Sequence, residues 1–329
     1  MLSIARNLDE KMRLRGTPKN SICIAMGFVN FIIILAFLIV SISKYEKGEY
    51  NFQRWNNAES MPGHQKKADV DFESGHARVS YSFPRRNVSG SYARELYIVV
   101  GIPTVKRIKG VNYLVGTLDS LIRNRSFSSV VFVVLVADID KEIRKQTTAT
   151  IEKRYAEEVK SGLIQIIYPP DHIYPNWDKE LKLTFGDSRR RVKWRSKHNI
   201  DESYLMKYAY SLNPKYYLML EDDVTAVDDY LNIIYKHAES SWREDLFIIS
   251  YCKFGAIGKL ISGEMLPLVS DYLRVLWSYK PIDWLISDLL FTLACGYPRK
   301  DCDKEISKIK IDHPDLFKHK GKISSSKNT

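Results

Sequence analysis

The chain has 329 residues, of which 45% are hydrophobic and 27% are charged, a balance typical of a folded protein with a packed core. Its formal net charge of +11 would suit a nucleic-acid partner. However, the cations are dispersed apart from one cluster between Arg189 and Lys197, and the sequence has no signature of a nucleic-acid-binding module. We therefore expect no nucleic-acid partner.

Residues 21–42 form an apolar segment without a charged side chain, long enough as a helix to span a bilayer of about 30 Å. A cleaved signal peptide would instead have an apolar region of about 7–15 residues that ends in a small-residue cleavage site. Basic residues precede the segment, whereas lysines and glutamates alternate after it. The positive-inside rule therefore predicts a cytoplasmic tail at residues 1–20 and a type II transmembrane signal anchor, with the rest of the chain in a lumen.

The polar segment at residues 43–94 is predicted to be a lumenal stem, and the folded domain is predicted to cover residues 95–329. Asn87 and Asn124 begin N-glycosylation acceptor patterns, which is consistent with a lumenal body. In an oxidising lumen, Cys295 and Cys302 are candidates for a short disulfide. Cys252 lies in an apolar run, which favours a buried structural role.

The folded domain begins with alternating strand and helix patterns. Strands are predicted at residues 96–100, 130–137 and 163–168, helices at 113–123 and 142–161, and a glycine-containing loop at 101–104. Continuous β-branched strands are typical of parallel sheets that are buried on both faces, so the order predicts an α/β fold. Asp138 follows the second strand, where a carboxylate either binds a ribose or a base or caps the next helix.

A basic run from Arg189 to Asn199 opens a helix that is predicted to end near Leu212, after an irregular segment at residues 171–188. This run is either a solvated helix face or a surface that recognises the phosphates of a nucleotide. Further helices are predicted at 230–238 and 266–279, and a strand at 246–252. The glycine-punctuated segment at 254–259 is interpreted as a structural turn rather than a phosphate loop.

The most informative stretch is an apolar strand pattern at residues 216–220 that runs directly into Glu221, Asp222 and Asp223. Because burying adjacent acids without compensation is costly, the strand must end here, either in a solvated turn or at a cation. Ligands of open α/β sheets bind beyond the carboxyl ends of the strands. A carboxylate cluster at that edge suits Mg²⁺ or Mn²⁺ holding a diphosphate.

Seven short segments occur in the same order as in a known enzyme family: residues 101–107, 185–188, 194–197, 216–224, 255–259, 280–284 and 316–319. Together they resemble the alpha-1,3-mannosyl-glycoprotein 4-beta-N-acetylglucosaminyltransferase family. The resemblance extends from about residue 96 to residue 326. It implies a GT-A type nucleotide-sugar-binding fold with a Rossmann-like mixed sheet, in a type II protein of the Golgi membrane.

The resemblance also implies the reaction, which is transfer of N-acetylglucosamine from UDP-N-acetylglucosamine to the 4-hydroxyl of an α1,3-linked mannose on an N-glycan, with inversion. A direct displacement of this kind needs a divalent cation, here expected to be Mn²⁺, on the leaving diphosphate. It also needs a carboxylate that takes the acceptor proton.

By this similarity, Asp223 and His319 would bind the metal, and Glu221 and Asp222 would reach the sugar and the ribose. Asp283, beside Trp284, is the candidate base, with a helix N-cap as its alternative role. The other candidates for donor binding are polar residues on the first strand, after the second strand and in the basic run: Thr104, Asp138, Arg195, Lys197 and Asn199.

Some positions depart from the family pattern. Ser250, Tyr251 and Cys252 stand where the family has Glu-Phe-Ser, so an acid is missing near the expected site. His198 replaces a glutamine, and lysines flank His319. We also expect the chain to lack the carboxyl-terminal lectin-like domain of the family enzymes. These departures leave two hypotheses, an active transferase, which we favour, and a non-catalytic paralogue that binds and regulates another Golgi glycosyltransferase.

Overall fold

The computed structural model describes residues 96–107, 112–123, 127–243, 246–296 and 301–322. The predicted signal anchor, the predicted stem and both predicted glycosylation sites lie outside these residues. Within the described ranges, no helix has the length and hydropathy needed to cross a membrane.

The strands of the described residues form a seven-stranded sheet and a two-stranded sheet. Their bounds are β1 Ile98–Thr104, β2 Val130–Val136, β3 Ile164–Ile167, β4 Tyr216–Met219, β5 Val224–Ala226, β6 Ile248–Ser250, β7 Lys259–Ser262, β8 Lys310–Asp312 and β9 Phe317–His319. The large sheet has the order β3-β2-β1-β4-β7-β6-β8, and β5 pairs with β9 in the small one.

Most strand pairs of the large sheet are parallel. β1 lies parallel between β2 and β4, and β2 lies parallel to β3. β7 runs antiparallel to both of its neighbours, and β6 pairs parallel with β8. The predicted α/β class with a mixed, largely parallel sheet is therefore confirmed.

Helices connect the strands over most of the described chain. Their bounds are α1 Leu114–Arg123, α2 Lys141–Arg154, α3 Ala156–Lys160, α4 Trp177–Glu180, α5 Arg189–Ser211, α6 Tyr230–Ser241, α7 Leu266–Val275, α8 Ile282–Ala294 and α9 Cys302–Ile309. Two 3₁₀ turns lie at Asp171–Ile173 and Gly263–Met265. The long helix α5 packs on β1 and β2, and α7 packs on α5.

The core forms where β1 and β2 are covered by helices. Val100 and Phe132 on these strands are fully buried, as are Leu118 and Leu121 on α1. Their burial follows from the continuous apolar runs of the two strands and from the helical spacing of the leucines in α1. A rigid parallel sheet thus holds the loops at its carboxyl edge.

Several sequence predictions need correction. The predicted loop at 101–104 is the end of β1, where Gly101 fits under Tyr217: a Cβ on Gly101 would lie 2.0 Å from the Tyr217 hydroxyl oxygen. The predicted helix at 142–161 breaks at Tyr155 into α2 and α3. Strand β7 and helix α9 were not predicted, because segments this short carry too little periodicity.

The candidate disulfide between Cys295 and Cys302 is not formed. Cys302, the first residue of α9, has a free thiol, so it forms no bridge with Cys295. The two residues belong to the ends of two separate helices, since Cys295 terminates α8. Cys252 is buried, as its apolar surroundings in the sequence predicted.

Candidate functional site

The acidic cluster Glu221, Asp222 and Asp223 joins β4 of the large sheet to β5 of the small sheet. β4 is parallel to β1, so the cluster and the end of β1 at Thr104 share one edge of the sheet. The strand order reverses between β1 and β4, because β2 and β3 lie on one side of β1 and β4 on the other. Crevices at such a reversal are the usual ligand sites of open α/β sheets.

Asp222 is buried and is held by residues from the end of β1 to α1. Its Oδ2 accepts a hydrogen bond of 2.6 Å from Thr104 Oγ1, and its Oδ1 accepts one from Arg107 Nη2. The backbone oxygen of Asp222 accepts from Thr117 Oγ1 at 2.8 Å. Burial raises the pKa of the Asp222 carboxyl, and the Arg107 charge and the Thr104 hydroxyl oppose that rise.

Asp223 has one bonded carboxylate oxygen and one without a partner. Its Oδ2 lies 3.1 Å from Arg107 Nη1 and 3.3 Å from His319 Nε2. Its Oδ1 is buried and makes no hydrogen bond within the described residues. A buried carboxylate oxygen of this kind calls for a ligand, because native proteins satisfy nearly all such atoms.

His319 reaches Asp223 through the small sheet, where β5 and β9 pair Val224 with His319. As a result, Glu221, Asp223 and His319 each place one possible ligand atom within 4.8 Å of those of the other two residues. Two carboxylates and an imidazole suit Mn²⁺ among other divalent metals, so this donor set, together with the unpartnered Asp223 oxygen, fits the cation expected from the sequence.

The third acid, Glu221, changes charge near neutral pH. Burial raises the pKa of Glu221 to about 8, and the carboxylates of Asp223 and Asp222 add to this rise. A cation bound beside Glu221 would therefore compete with a proton.

Arg107 was missed by the sequence analysis. Its buried guanidinium bridges Asp222 and Asp223 and lies 4.8 Å from the ring centroid of Tyr113. The signal was present, because Arg107 follows β1 in the segment that resembles the family and the acids follow β4. Two parallel neighbouring strands bring their carboxyl ends together.

The end of the described chain covers one side of the cluster. The Lys320 N–H donates to the Asp223 backbone oxygen at 2.7 Å, and the Lys322 N–H donates to Tyr113 Oη at 3.1 Å. A Cβ on Gly321 would lie 2.0 Å from Asp223 Oδ2, so only glycine fits there without movement. Residues 319–321 therefore pack directly on Asp223.

Two cavities flank the acidic cluster. The first, the β1 cavity, has a volume of about 170 Å³. It is lined by the end of β1, by the residues that follow it, by α2 and by the acidic cluster. The lining includes Thr104, Lys106, Arg107, Thr147 and Asp222. The second, the lysine cavity, has a volume of about 240 Å³ and is lined by Lys253, Lys259, Lys310, Asp283 and Trp284, together with apolar residues of β6 and α8. Gly255 also lines the lysine cavity, and a Cβ on it would lie 3.8 Å from Glu221 Oε1, so this cavity begins beside the cluster.

Asp283 lies in the first turn of α8, and Pro281 occupies the N-cap position. The predicted alternative role of Asp283 as the N-cap is therefore wrong. Its carboxylate is half-buried and makes no hydrogen bond or ion pair with another described residue. The side chain is available to a ligand in the lysine cavity.

The structure does not bring the other predicted donor-binding residues to the cluster. Arg195 pairs with Asp187 at 2.7 Å. Lys197 donates to the Ala137 oxygen and to Asp201, each at 2.6 Å. Both side chains therefore have structural partners in this arrangement. The roles of Arg195 and Lys197 in nucleotide binding stay predictions.

Asp138 and Asn199 support the site from outside. Both carboxylate oxygens of Asp138 accept from the Lys106 N–H, at 3.1 and 3.2 Å, and so fix the segment that leads to Arg107. Asn199 Nδ2 donates to the backbone oxygens of Trp277 and Lys280, at 2.9 and 2.8 Å, just before α8 begins. These contacts place Arg107 and Asp283 without touching the cluster.

The sheet and the acidic cluster together define an α/β protein. It presents buried carboxylates where the strand order of a largely parallel sheet reverses. Residues 79–329 match the family described as the MGAT4 conserved region, and the chain belongs to this family. It is 39% identical over 243 residues to alpha-1,3-mannosyl-glycoprotein 4-beta-N-acetylglucosaminyltransferase A of Mus musculus, covering 72% of this chain and 45% of that protein. It is 37% identical to the B form of Homo sapiens, covering 69% of this chain and 42% of that protein.

The chain thus spans about half the length of the curated relatives that it matches. Among solved structures, a mannosyltransferase from Pyrobaculum calidifontis in complex with GDP-Man and Mn²⁺ is similar with a TM-score of 0.40 and 10% identity, over 68% of this chain and 56% of that one. An active-site mutant of LgtC is similar with a TM-score of 0.38 and 14% identity, over 69% of this chain and 88% of that one. Similarity at this level says nothing about function.

Proposed function

We propose that the chain is an inverting, metal-dependent N-acetylglucosaminyltransferase. Its donor would be UDP-N-acetylglucosamine and its acceptor the α1,3-mannose arm of an N-glycan on a glycoprotein, which it would extend in β1,4 linkage. Membership of the MGAT4 family supports this reaction, because the named relatives are 4-beta-N-acetylglucosaminyltransferases.

The observation that carries the proposal is the acidic cluster between two cavities. Glu221, Asp223 and His319 have the donor atoms and the spacing to hold a divalent cation, and Asp223 Oδ1 lacks any other partner among the described residues. A cation bound there, Mn²⁺ in our proposal, would neutralise the leaving diphosphate. The donor and the acceptor would then occupy the two cavities.

We assign the β1 cavity to the nucleotide. Asp222 and Thr104 offer hydrogen bonds to a ribose, while Lys106 and Arg107 offer positive charge to a diphosphate. The position at the reversal point of the sheet supports a nucleotide site of the GT-A type.

We assign the acceptor to the lysine cavity, with Asp283 as the general base. An inverting displacement needs one carboxylate to take the proton of the attacking hydroxyl. Asp283 is half-buried, lines the cavity and has no competing partner among the described residues. It therefore retains its lone pairs for the acceptor hydroxyl.

The proposed location is the Golgi membrane. It rests on the apolar segment at residues 21–42 and on the basic residues before it, which favour a single-pass type II anchor with a lumenal body.

The competing proposal is a non-catalytic partner of another Golgi glycosyltransferase. It is favoured by Arg107, whose guanidinium already neutralises Asp222 and Asp223 without a metal. Such a protein would bind no donor in a Mn²⁺-dependent way and would co-purify with an active transferase.

Turnover by the full-length chain in detergent, with Mn²⁺, UDP-N-acetylglucosamine and a biantennary N-glycan, tests the choice. We predict a product with one added N-acetylglucosamine, and we predict that Asp283→Asn lowers kcat by about 10²- to 10⁴-fold, the usual contribution of a general base. Lys160→Met, an exposed substitution on α3, is the control and should keep full turnover. No product above an Asp223→Ala background would refute the transferase, and full activity of Asp283→Asn would refute the assigned base.

A further inference from the structure

The charges in the lysine cavity are unbalanced. Three lysines and one carboxylate line it, namely Lys253, Lys259, Lys310 and Asp283. Of the lysines, Lys310 pairs with Asp312 at 2.8 Å. Lys253 and Lys259 form no ion pair within the described part of the chain. With Lys310 paired to Asp312, Lys253 and Lys259 remain against the single carboxylate of Asp283, so the lining carries a net positive charge.

Lys259 is the most constrained of these lysines. Its Nζ donates to Ser250 Oγ and to the Cys252 backbone oxygen, each at 2.6 Å, and both of these acceptors are neutral. Asp312 and Asp315 are near enough to act on it electrostatically, but neither forms an ion pair with it. Burial lowers the pKa of the Lys259 ammonium, and Lys310 adds to this effect. An ammonium held by two neutral oxygens retains one N–H to donate.

An aromatic surface adjoins these charges. Trp284 lines the same cavity and is 49% exposed, although it is one of the largest apolar side chains. Its ring contacts Phe185 edge to face, with the ring centroids 5.3 Å apart. The exposed indole offers a flat surface to the C–H face of a sugar ring.

We propose that the lysine cavity binds an oxyanion substituent carried by the acceptor sugar, with Trp284 against the sugar ring and Lys253 and Lys259 on the anion. This proposal deepens the proposed function, on which it rests for the identity of the acceptor. Charge-assisted hydrogen bonds from two lysines would favour a phosphate or sulfate ester over a neutral hydroxyl. The preferred acceptor would then be a charged glycan rather than a neutral one.

A direct binding measurement tests this preference for a charged acceptor without requiring turnover. Methyl α-mannoside, its 6-phosphate and its 6-sulfate are titrated separately into the full-length protein in detergent and followed by calorimetry. We expect at least one of the charged mannosides to bind about tenfold or more tightly than the neutral one, as expected for a charge-assisted contact. Inorganic phosphate should compete, but should bind more weakly than the charged mannoside, because it lacks the ring that meets Trp284.

Variants locate the effect. Lys259→Met and Lys253→Met should each remove most of the preference for the charged mannoside. Lys253 is exposed, and among the described residues its side chain makes no hydrogen bond, whereas its backbone N–H donates to Asp315. Lys253→Met therefore remains informative if Lys259→Met fails to fold. Lys160→Met on α3, which precedes the opposite edge strand β3, is the matched control and should bind like the wild type.

Equal binding of the charged and neutral mannosides, no binding of either charged mannoside, or a preference that survives both lysine variants would overturn the proposal. Inorganic phosphate binding as tightly as the charged mannoside would also overturn it, because the sugar would then contribute nothing. Asp223→Asn separates this test from the proposed function, since it should weaken Mn²⁺-dependent donor binding and leave mannoside binding intact. Mannoside binding that depends on Lys253, without donor binding in the wild type, would uphold the cavity and refute the transferase.

Discussion

Arg107 and Asp223 together decide the electrostatics of the acidic cluster. The Arg107 guanidinium lies between Asp222 and Asp223 and is itself buried. Removing one member of a buried ion pair is costly, because the remaining charge is left without compensation. The cluster thus needs a cation, and within the described residues Arg107 supplies one.

A substitution of Arg107 tests this view. We predict that Arg107→Met lowers the free energy of unfolding by about 3–5 kcal/mol in the presence of a chelator, since two buried carboxylates lose their counter-charge. Mn²⁺ should then raise the melting temperature of Arg107→Met more than that of the wild type, because the added cation replaces the lost one. Thermal unfolding with Mn²⁺ and with EDTA measures both effects.

Arg154→Met serves as the control, because Arg154 pairs with Asp119 on the surface and far less of the pair is buried. Its effect on the free energy of unfolding should be far smaller than that of Arg107→Met, and it should not change the response to Mn²⁺. An equal response to Mn²⁺ in Arg107→Met and in the wild type would contradict the claim that Arg107 and the cation compensate the same carboxylates.

Glu202 is a buried acid on α5, the helix that packs on β1 and β2. Its Oε1 accepts a hydrogen bond of 2.5 Å from Tyr217 Oη, and burial raises its pKa to about 8. The folded protein therefore keeps a proton on Glu202 that the unfolded chain loses above its ordinary pKa of 4.5. The contribution of this proton to the free energy of unfolding is fully present below pH 4.5 and is lost as the pH rises towards 8.

Glu202→Gln keeps the acceptor for Tyr217 but cannot ionise. We predict that its stability relative to the wild type increases between pH 5 and pH 8, by up to about 1.4 kcal/mol per pH unit. Urea unfolding of both proteins across this range measures the difference. Parallel stability curves would show that Glu202 does not change its protonation on folding.

At the scale of elements, β1 and β4 must approach closely for the cluster to form. Gly101 on β1 allows this, because its missing side chain leaves room for the Tyr217 ring on β4. The hydrogen bond from Tyr217 to Glu202 prevents the ring from moving aside.

We predict that Gly101→Ala destabilises the protein by about 1–3 kcal/mol or more, as overpacking of a fixed core does. Gly116→Ala on α1 is the matched control, since a Cβ there meets nothing within 4 Å, and it should stabilise the helix by about 0.5–1 kcal/mol. Thermal unfolding distinguishes the two. A neutral Gly101→Ala would mean that β1 and β4 are less tightly packed than their register indicates.

Local sequence patterns predicted the elements that have long, continuous apolar runs. The apolar run at 130–136 and the strand that ends at Glu221 are visible in the sequence because each is continuous and ends abruptly. The position of the acids at the carboxyl edge of the sheet was predicted in the same way, since ligands of open α/β sheets bind beyond the carboxyl ends of the strands.

Other parts of the site depend on contacts distant in sequence. Arg107 meets Asp222 across 115 residues, and His319 meets Asp223 only because β9 pairs with β5. Neither pairing has a local signature. The basic run shows a related limit: Arg195 is buried and pairs with Asp187, a partner that the sequence pattern does not reveal.

At the scale of the whole described region, the sheet divides the site into two halves. The strands β3, β2, β1 and β4 form a parallel half that builds the β1 cavity, and β7, β6 and β8 form a mixed half that helps to build the lysine cavity. The acids that follow β4 lie where the halves join. This arrangement gives a donor and an acceptor separate places on either side of one cation.

Calorimetric titration of UDP-N-acetylglucosamine into the full-length protein tests this central claim most directly. We predict binding in the presence of Mn²⁺ that disappears in EDTA and weakens by about 10- to 100-fold or more in Asp223→Asn, because a carboxylate ligand of the cation is lost. Binding that is equally tight in EDTA, or unchanged in Asp223→Asn, would contradict a cation-dependent donor site at the acidic cluster.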